Sequence, residues 1–129
     1  GKTVITQVDS AALDVLEGDK ADLAATFASL DTIAEYNTAF MMLQSGQVDA
    51  VACDLSIAEY NMAANPDTYK QLEETLSDEH YAVGFKLGNE ALAEQVTETL
   101  KELNEDGTVQ ELCDKYAEYG ISYENWLIK

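Results

Sequence analysis

Two short stretches of this chain hold groups that could capture a small charged molecule. The first is Gln7-Val8-Asp9-Ser10-Ala11, where the carboxyl end of a strand should meet the amino end of a helix. Backbone N–H groups at a helix start have no partner within the helix and sit at its positive pole, so a carboxylate fits there. The competing reading is that Asp9 or Ser10 merely caps the helix. The second is Asp54, which closes the most apolar run of the chain, Val48-Asp49-Ala50-Val51-Ala52-Cys53. A carboxylate at that point could pair with a ligand ammonium through a charge-assisted hydrogen bond, or cap the next helix. Taken together, an anion-seeking turn at Ser10 and a cation-seeking Asp54 match the two charged ends of an amino acid.

These two groups meet only if the surrounding elements bring them to one edge. Thr3-Val4-Ile5-Thr6 is short and β-branched, as a buried strand is, and Ala11 to Leu16 is a run of helix formers with Gly18 available as a stop. Leu30 to Ile33 reads as a second strand. From Glu35 to Ser45, the spacing of Tyr36, Ala39, Phe40 and Leu43 puts all four on one helical face, and Gly46 ends it. Val48 to Asp54 reads as a central strand of a parallel sheet. A helix from about Ser56 to Ala63 follows, stopped by Asn65-Pro66-Asp67. The alternation of strand and helix predicts an α/β fold with a mostly parallel, right-handed sheet and helices on both faces. Ligands in such sheets lie beyond the carboxyl ends of the strands, the edge expected to hold Ser10 and Asp54.

After Tyr69 the pattern changes. Tyr81 to Lys86 reads as a strand, and two helices follow, with Leu92, Val96, Leu100 and Leu103 along one face of the first and Val109, Leu112, Cys113 and Tyr116 along one face of the second, separated by Asp106-Gly107. Both stripes need a surface to cover, which assigns the terminal pair to a different body from the sheet.

Composition limits what the chain does. A length of 129 residues that are 47% hydrophobic suits a folded domain. Seven basic against 25 acidic residues, a net charge of -18, argue against nucleic acid and against an anionic membrane surface as partners. No apolar run approaches the roughly 20 residues of a membrane-spanning helix. The chain opens on Gly1-Lys2-Thr3-Val4, so any export signal is expected to have been removed or left out. Cys53, Cys113 and His80 form no recognised zinc spacing; the two thiols read as packing residues, with a bridge between them left open. No serine elbow, phosphate loop or cysteine–histidine arrangement is present, so the expectation is binding without chemistry, with no metal and no cofactor.

Four stretches also carry a family resemblance: Gly1-Lys2-Thr3-Val4 leading to Gln7 and the Asp9-Ser10-Ala11 turn; Leu43-Gln44-Ser45-Gly46-Gln47-Val48-Asp49-Ala50; Cys53-Asp54 with Tyr60; and Tyr81-Ala82-Val83-Gly84-Phe85-Lys86 with Asn104-Glu105-Asp106-Gly107-Thr108 and Lys115-Tyr116. In these the chain resembles the second lobe and tail of the extracytoplasmic solute-binding proteins of amino-acid ABC transporters. The resemblance implies a periplasmic-binding-protein-like lobe over residues 1–80, then a hinge strand and two C-terminal helices over 81–129 that would pack on a first lobe. It implies that Ser10 and Ala11 hold an α-carboxylate, that Asp54 holds the α-ammonium, and that Gln7 and Cys53 touch the ligand side chain. The family often has glycine at the position of Asp9, whose charge could repel an anionic ligand or cap the helix, and a second hydroxyl at that of Ala11. It further implies an extracytoplasmic location, as a periplasmic protein or cell-surface lipoprotein, and a membrane permease as partner. Left without a first lobe, the stranded helices should fold back or pair with another copy as a dimer or swapped dimer; a monomeric mass by light scattering counts against that. A sensor domain of a signalling receptor, a small-acid enzyme such as a lyase or dehydratase, and a purely structural interaction domain are the alternatives.

Overall fold

A computed structural model describes all 129 residues. The chain divides into two compact units, Gly1–Asp78 and Glu79–Lys129.

The first unit is built on β1 (Thr3–Gln7), β2 (Ser29–Ile33) and β3 (Ala50–Val51), all parallel and ordered β2-β1-β3. Val4 stands opposite Leu30 on one side and Ala50 on the other, so β1 is the central strand. The sequence pointed to Val48–Asp54 as the central strand; β3 instead lies at the sheet edge and is two residues long. The apolar run was misleading because Val48 and Ala52 are buried without belonging to the ladder, and burial, not pairing, is what an apolar run reports.

Successive residues of β1 face opposite sides, and each side has its own helix. Val4 packs with Ala12 and Leu16 of α1 (Ala11–Glu17) and with Ala52, while Ile5 packs with Ala39 of α3 (Tyr36–Gln44) and with Val48. The sheet is thus sandwiched between helices. A four-residue α2 (Ala21–Ala24) lies between α1 and β2, where the sequence carried no clear pattern, and α4 (Leu55–Ala64) follows β3. Phe40 and Tyr69 meet edge to face with ring centroids 5.3 Å apart, and the Tyr69 hydroxyl donates to the Phe40 carbonyl at 3.3 Å, fastening the segment after α4 onto α3.

In the second unit, α5 (Glu90–Glu105) and α6 (Thr108–Lys115) are joined through Gly107, whose φ of 88° suits glycine. Hydrogen bonding from the Thr108 side chain, and from its amide at 2.9 Å, holds the Asp106 carboxyl below the usual carboxylate range, and the Tyr123 hydroxyl donates to Asn104 Oδ1 at 2.7 Å. The strand expected over Tyr81–Lys86 does not form. These residues join no sheet, with Tyr81 76% and Val83 65% exposed, because no neighbouring strand offers them a ladder. No helix is long and apolar enough to cross a membrane.

Candidate functional site

Because all three strands run the same way, their carboxyl ends lie on one edge, and the turns that leave β1 and β3 emerge there together. Thr6, fully buried at 0% exposure, ties them to each other. Its hydroxyl donates to the Ala52 carbonyl at 2.8 Å and lies 3.2 Å from Ser10 Oγ and 3.5 Å from the Tyr36 hydroxyl. A threonine hydroxyl has one proton, and here it is committed to Ala52. Between Thr6 and Ser10, the donor is therefore Ser10.

Of the two candidates for the cap of α1, Ser10 takes the position: its Oγ accepts from the Leu13 amide at 3.2 Å. Ala11 is the exposed first residue of α1. Asp9 is exposed and has φ of 54°, the left-handed region that aspartate tolerates and glycine adopts without cost. That backbone gives a physical reason for the glycine that the resemblance places there. Asp9→Gly and Asp9→Ala remove the same charge, so their difference isolates the backbone: the glycine variant should be more stable by about 1–2 kcal/mol in denaturant unfolding.

Asp54 is not the last residue of a strand, as the sequence suggested. The ladder stops at Val51, the Ala52 amide adds one more bond to the Ile5 carbonyl at 2.9 Å, and Asp54 is the N-cap of α4, half-buried. Its backbone carbonyl accepts from the amides of Ile57 and Ala58, but its carboxylate makes no capping bond to that helix. Cys53 beside it is half-buried, and burial, with the Asp54 charge added, pushes its thiol up to about 11. Both cysteines are unbridged. Gln7, at the end of β1, donates from Nε2 to the Ala34 carbonyl at 2.7 Å.

Gln7 also opens onto a cleft of about 330 Å³. Glu35, Tyr36 and Asn37 line it from the start of α3, and Ser56, Ile57, Tyr60 and Asn61 line it from α4. Ser10, Ala11, Asp9, Cys53 and Asp54 do not line it; they sit on the same edge, joined to it through Thr6 and Tyr36 and through the first turn of α4. Sequence reasoning missed Thr6 and most of this cleft. A hydroxyl among β-branched neighbours was the available signal for Thr6. Thr6→Val keeps the shape of the side chain and leaves the buried Ala52 carbonyl without its donor, so it should cost about 1–3 kcal/mol in urea unfolding.

No family model matches the chain. The fold and the sequence both have relatives. Two structures of an ancestral arginine-binding protein superpose on 90% of this chain and 50% of their own: one bound to glutamine, with a TM-score of 0.70 and 32% identity, and one bound to arginine, with a TM-score of 0.72 and 31% identity. The ABC transporter glutamine-binding protein GlnH of Bacillus subtilis is 35% identical over 89 residues, 69% of this chain and 32% of that protein. The relatives that this chain matches are amino-acid-binding proteins of ABC transporters. Also among them are the ABC transporter arginine-binding protein 1 of Escherichia coli, 26% identical over 85 residues (63% of this chain, 35% of that one), and the L-cystine-binding protein TcyJ of the same species, 30% identical over 79 residues (61% and 30%). These relatives are binding proteins rather than enzymes. The chain spans about a third of the length of these curated relatives and half that of the ancestral proteins.

Proposed function

We propose that this chain forms one wall of an amino-acid-binding cleft in a two-lobed solute-binding protein, which works outside the cytoplasm, hands its ligand unaltered to an ABC permease and catalyses no reaction. The observation that carries the reading is the Thr6 hydroxyl, which links the Ser10 turn to the Ala52–Asp54 turn at one edge of a parallel sheet. In this reading the ligand α-carboxylate lies against the Ser10 hydroxyl and the Ala11 amide, drawing to itself the proton that Ser10 otherwise gives to Thr6. The α-ammonium lies against Asp54, while Gln7 and Cys53 face the ligand side chain. At neutral pH the Cys53 thiol remains protonated and contributes as a small apolar contact rather than as a nucleophile. The charge of Asp9 stands near the carboxylate and weakens its hold.

The names of the relatives favour amino acids over other zwitterions, since glutamine, arginine and cystine are what those proteins are named for. A melting-temperature screen of the twenty amino acids tests the reading, on this chain and on the longer protein that contains it. A ligand specific to the folded state, at about 100 times its dissociation constant, adds roughly 2.7 kcal/mol. One or a few amino acids should raise the melting temperature; a flat response to all twenty removes the proposed ligand class.

A further inference from the structure

The cleft beside Gln7 has a consistent chemistry. Its one ionisable carboxylate is Glu35, no lysine, arginine or histidine lines it, and its remaining polar groups include the amides of Gln7, Asn37 and Asn61. Two tyrosines line it, Tyr60 with 51% of its surface exposed and so able to offer its ring, and Tyr36 buried at 8%. Glu35 sits at the N-cap of α3 yet makes no capping bond with its side chain, so helix capping does not account for it. Carboxylate, π-faces and amide oxygens are the groups that hold a cation, the carboxylate by charge-assisted hydrogen bonds and the rings by their negative faces. An anionic side chain finds no positive partner there, in a chain whose net charge is already -18.

The position matters as much as the lining. Tyr36 reaches back to Thr6 at 3.5 Å, and Ser56 stands two residues beyond Asp54, so the cleft begins where the proposed backbone-binding groups end. A side chain leaving a ligand held at Ser10 and Asp54 has this cleft as its neighbouring space.

We infer that the cleft receives the cationic side chain of the ligand, a guanidinium or ammonium group, with Glu35 as its counter-charge and Tyr36 and Tyr60 as its walls. The inference rests on the amino-acid-binding reading and names the substrate class for it.

The test is calorimetric titration of the chain, and of the longer protein that contains it, with arginine, lysine, glutamine, glutamate and agmatine. Agmatine carries the guanidinium without the carboxylate and reads the cleft apart from the Ser10 turn. Arginine or lysine should bind at least tenfold tighter than glutamate, with an affinity that falls as salt rises. Glu35→Gln should weaken the cationic ligands about tenfold and leave glutamine unchanged, and Tyr60→Leu should weaken them less. Circular dichroism of each variant verifies folding. Glutamine binding that depends on Asp54, with no preference for cations and no effect of Glu35→Gln, overturns the cleft assignment and keeps the amino-acid reading. Agmatine binding that depends on Glu35, with no response to any amino acid, keeps the cation site and overturns the reading on which the ligand class rests. No binding of arginine, lysine or agmatine in either protein overturns the inference outright.

Discussion

Asp54→Ala should abolish the melting-temperature response to amino acids while leaving the unliganded protein within about 1 kcal/mol of its original stability. The small structural cost follows from what Asp54 does for the fold. Its carbonyl, which alanine retains, accepts from Ile57 and Ala58, and its carboxylate makes no capping bond to α4. Replacing an N-cap residue by alanine typically costs about 1 kcal/mol, which sets the scale of the loss here. The functional cost is larger. A hydrogen bond between charged groups contributes about 1.5–3 kcal/mol, which is roughly a 10- to 150-fold loss of affinity. Asp54→Asn, which keeps the shape and removes the charge, should fall close to the alanine variant in titration calorimetry. An amino acid that binds Asp54→Ala as tightly as the parent would remove Asp54 from the site.

The largest stability effect should come from Leu16→Ala. Leu16 is 1% exposed and packs with Val4, Ala12 and Ala52 on the α1 face of the sheet. Truncation removes the buried methyl groups and leaves a cavity that short strands cannot readily collapse, at a cost of about 2–5 kcal/mol. In a unit of this size each kcal/mol moves the melting temperature by roughly 4–8 °C, so calorimetry should register a drop of at least about 8 °C. Because Leu16 also seats α1, the variant should bind ligand less well than its remaining folded fraction accounts for, through misplacement of Ser10. A drop below 1 kcal/mol would mean that the α1 face is not a packed core.

How well the sequence forecast each element tracks how local its cause is. The helix over 36–44 was legible because Tyr36, Ala39, Phe40 and Leu43 repeat at helical spacing, and the structure buries the first three. β1 was legible from its β-branched residues. Residues 81–86 carry the strand-favouring Tyr81, Val83 and Phe85 yet form no strand, because a strand also needs a partner, which local sequence does not report. Gly107 was legible as the break between the terminal helices. At the candidate site, Ser10 and Asp54 could be placed on one edge once the strands were taken as parallel. Thr6 could not be singled out, since its role comes from Ala52, 46 residues away in sequence, and from Tyr36, 30 residues away. The cleft drew on Glu35 and Asn37 from α3 and Tyr60 and Asn61 from α4, a convergence that only tertiary structure reveals.

The central position of β1 has a consequence for synthesis. Within this unit it is the first strand to be synthesised and the one with two flanks to satisfy. Its first neighbour begins at Ser29, but its second is Ala50–Val51, so one row of its amides and carbonyls stays uncovered until synthesis has passed Val51. Until then a nascent chain offers an open β-edge to any neighbour, and a chaperone that shields the first residues of the unit should raise its folding yield more than one that acts after release.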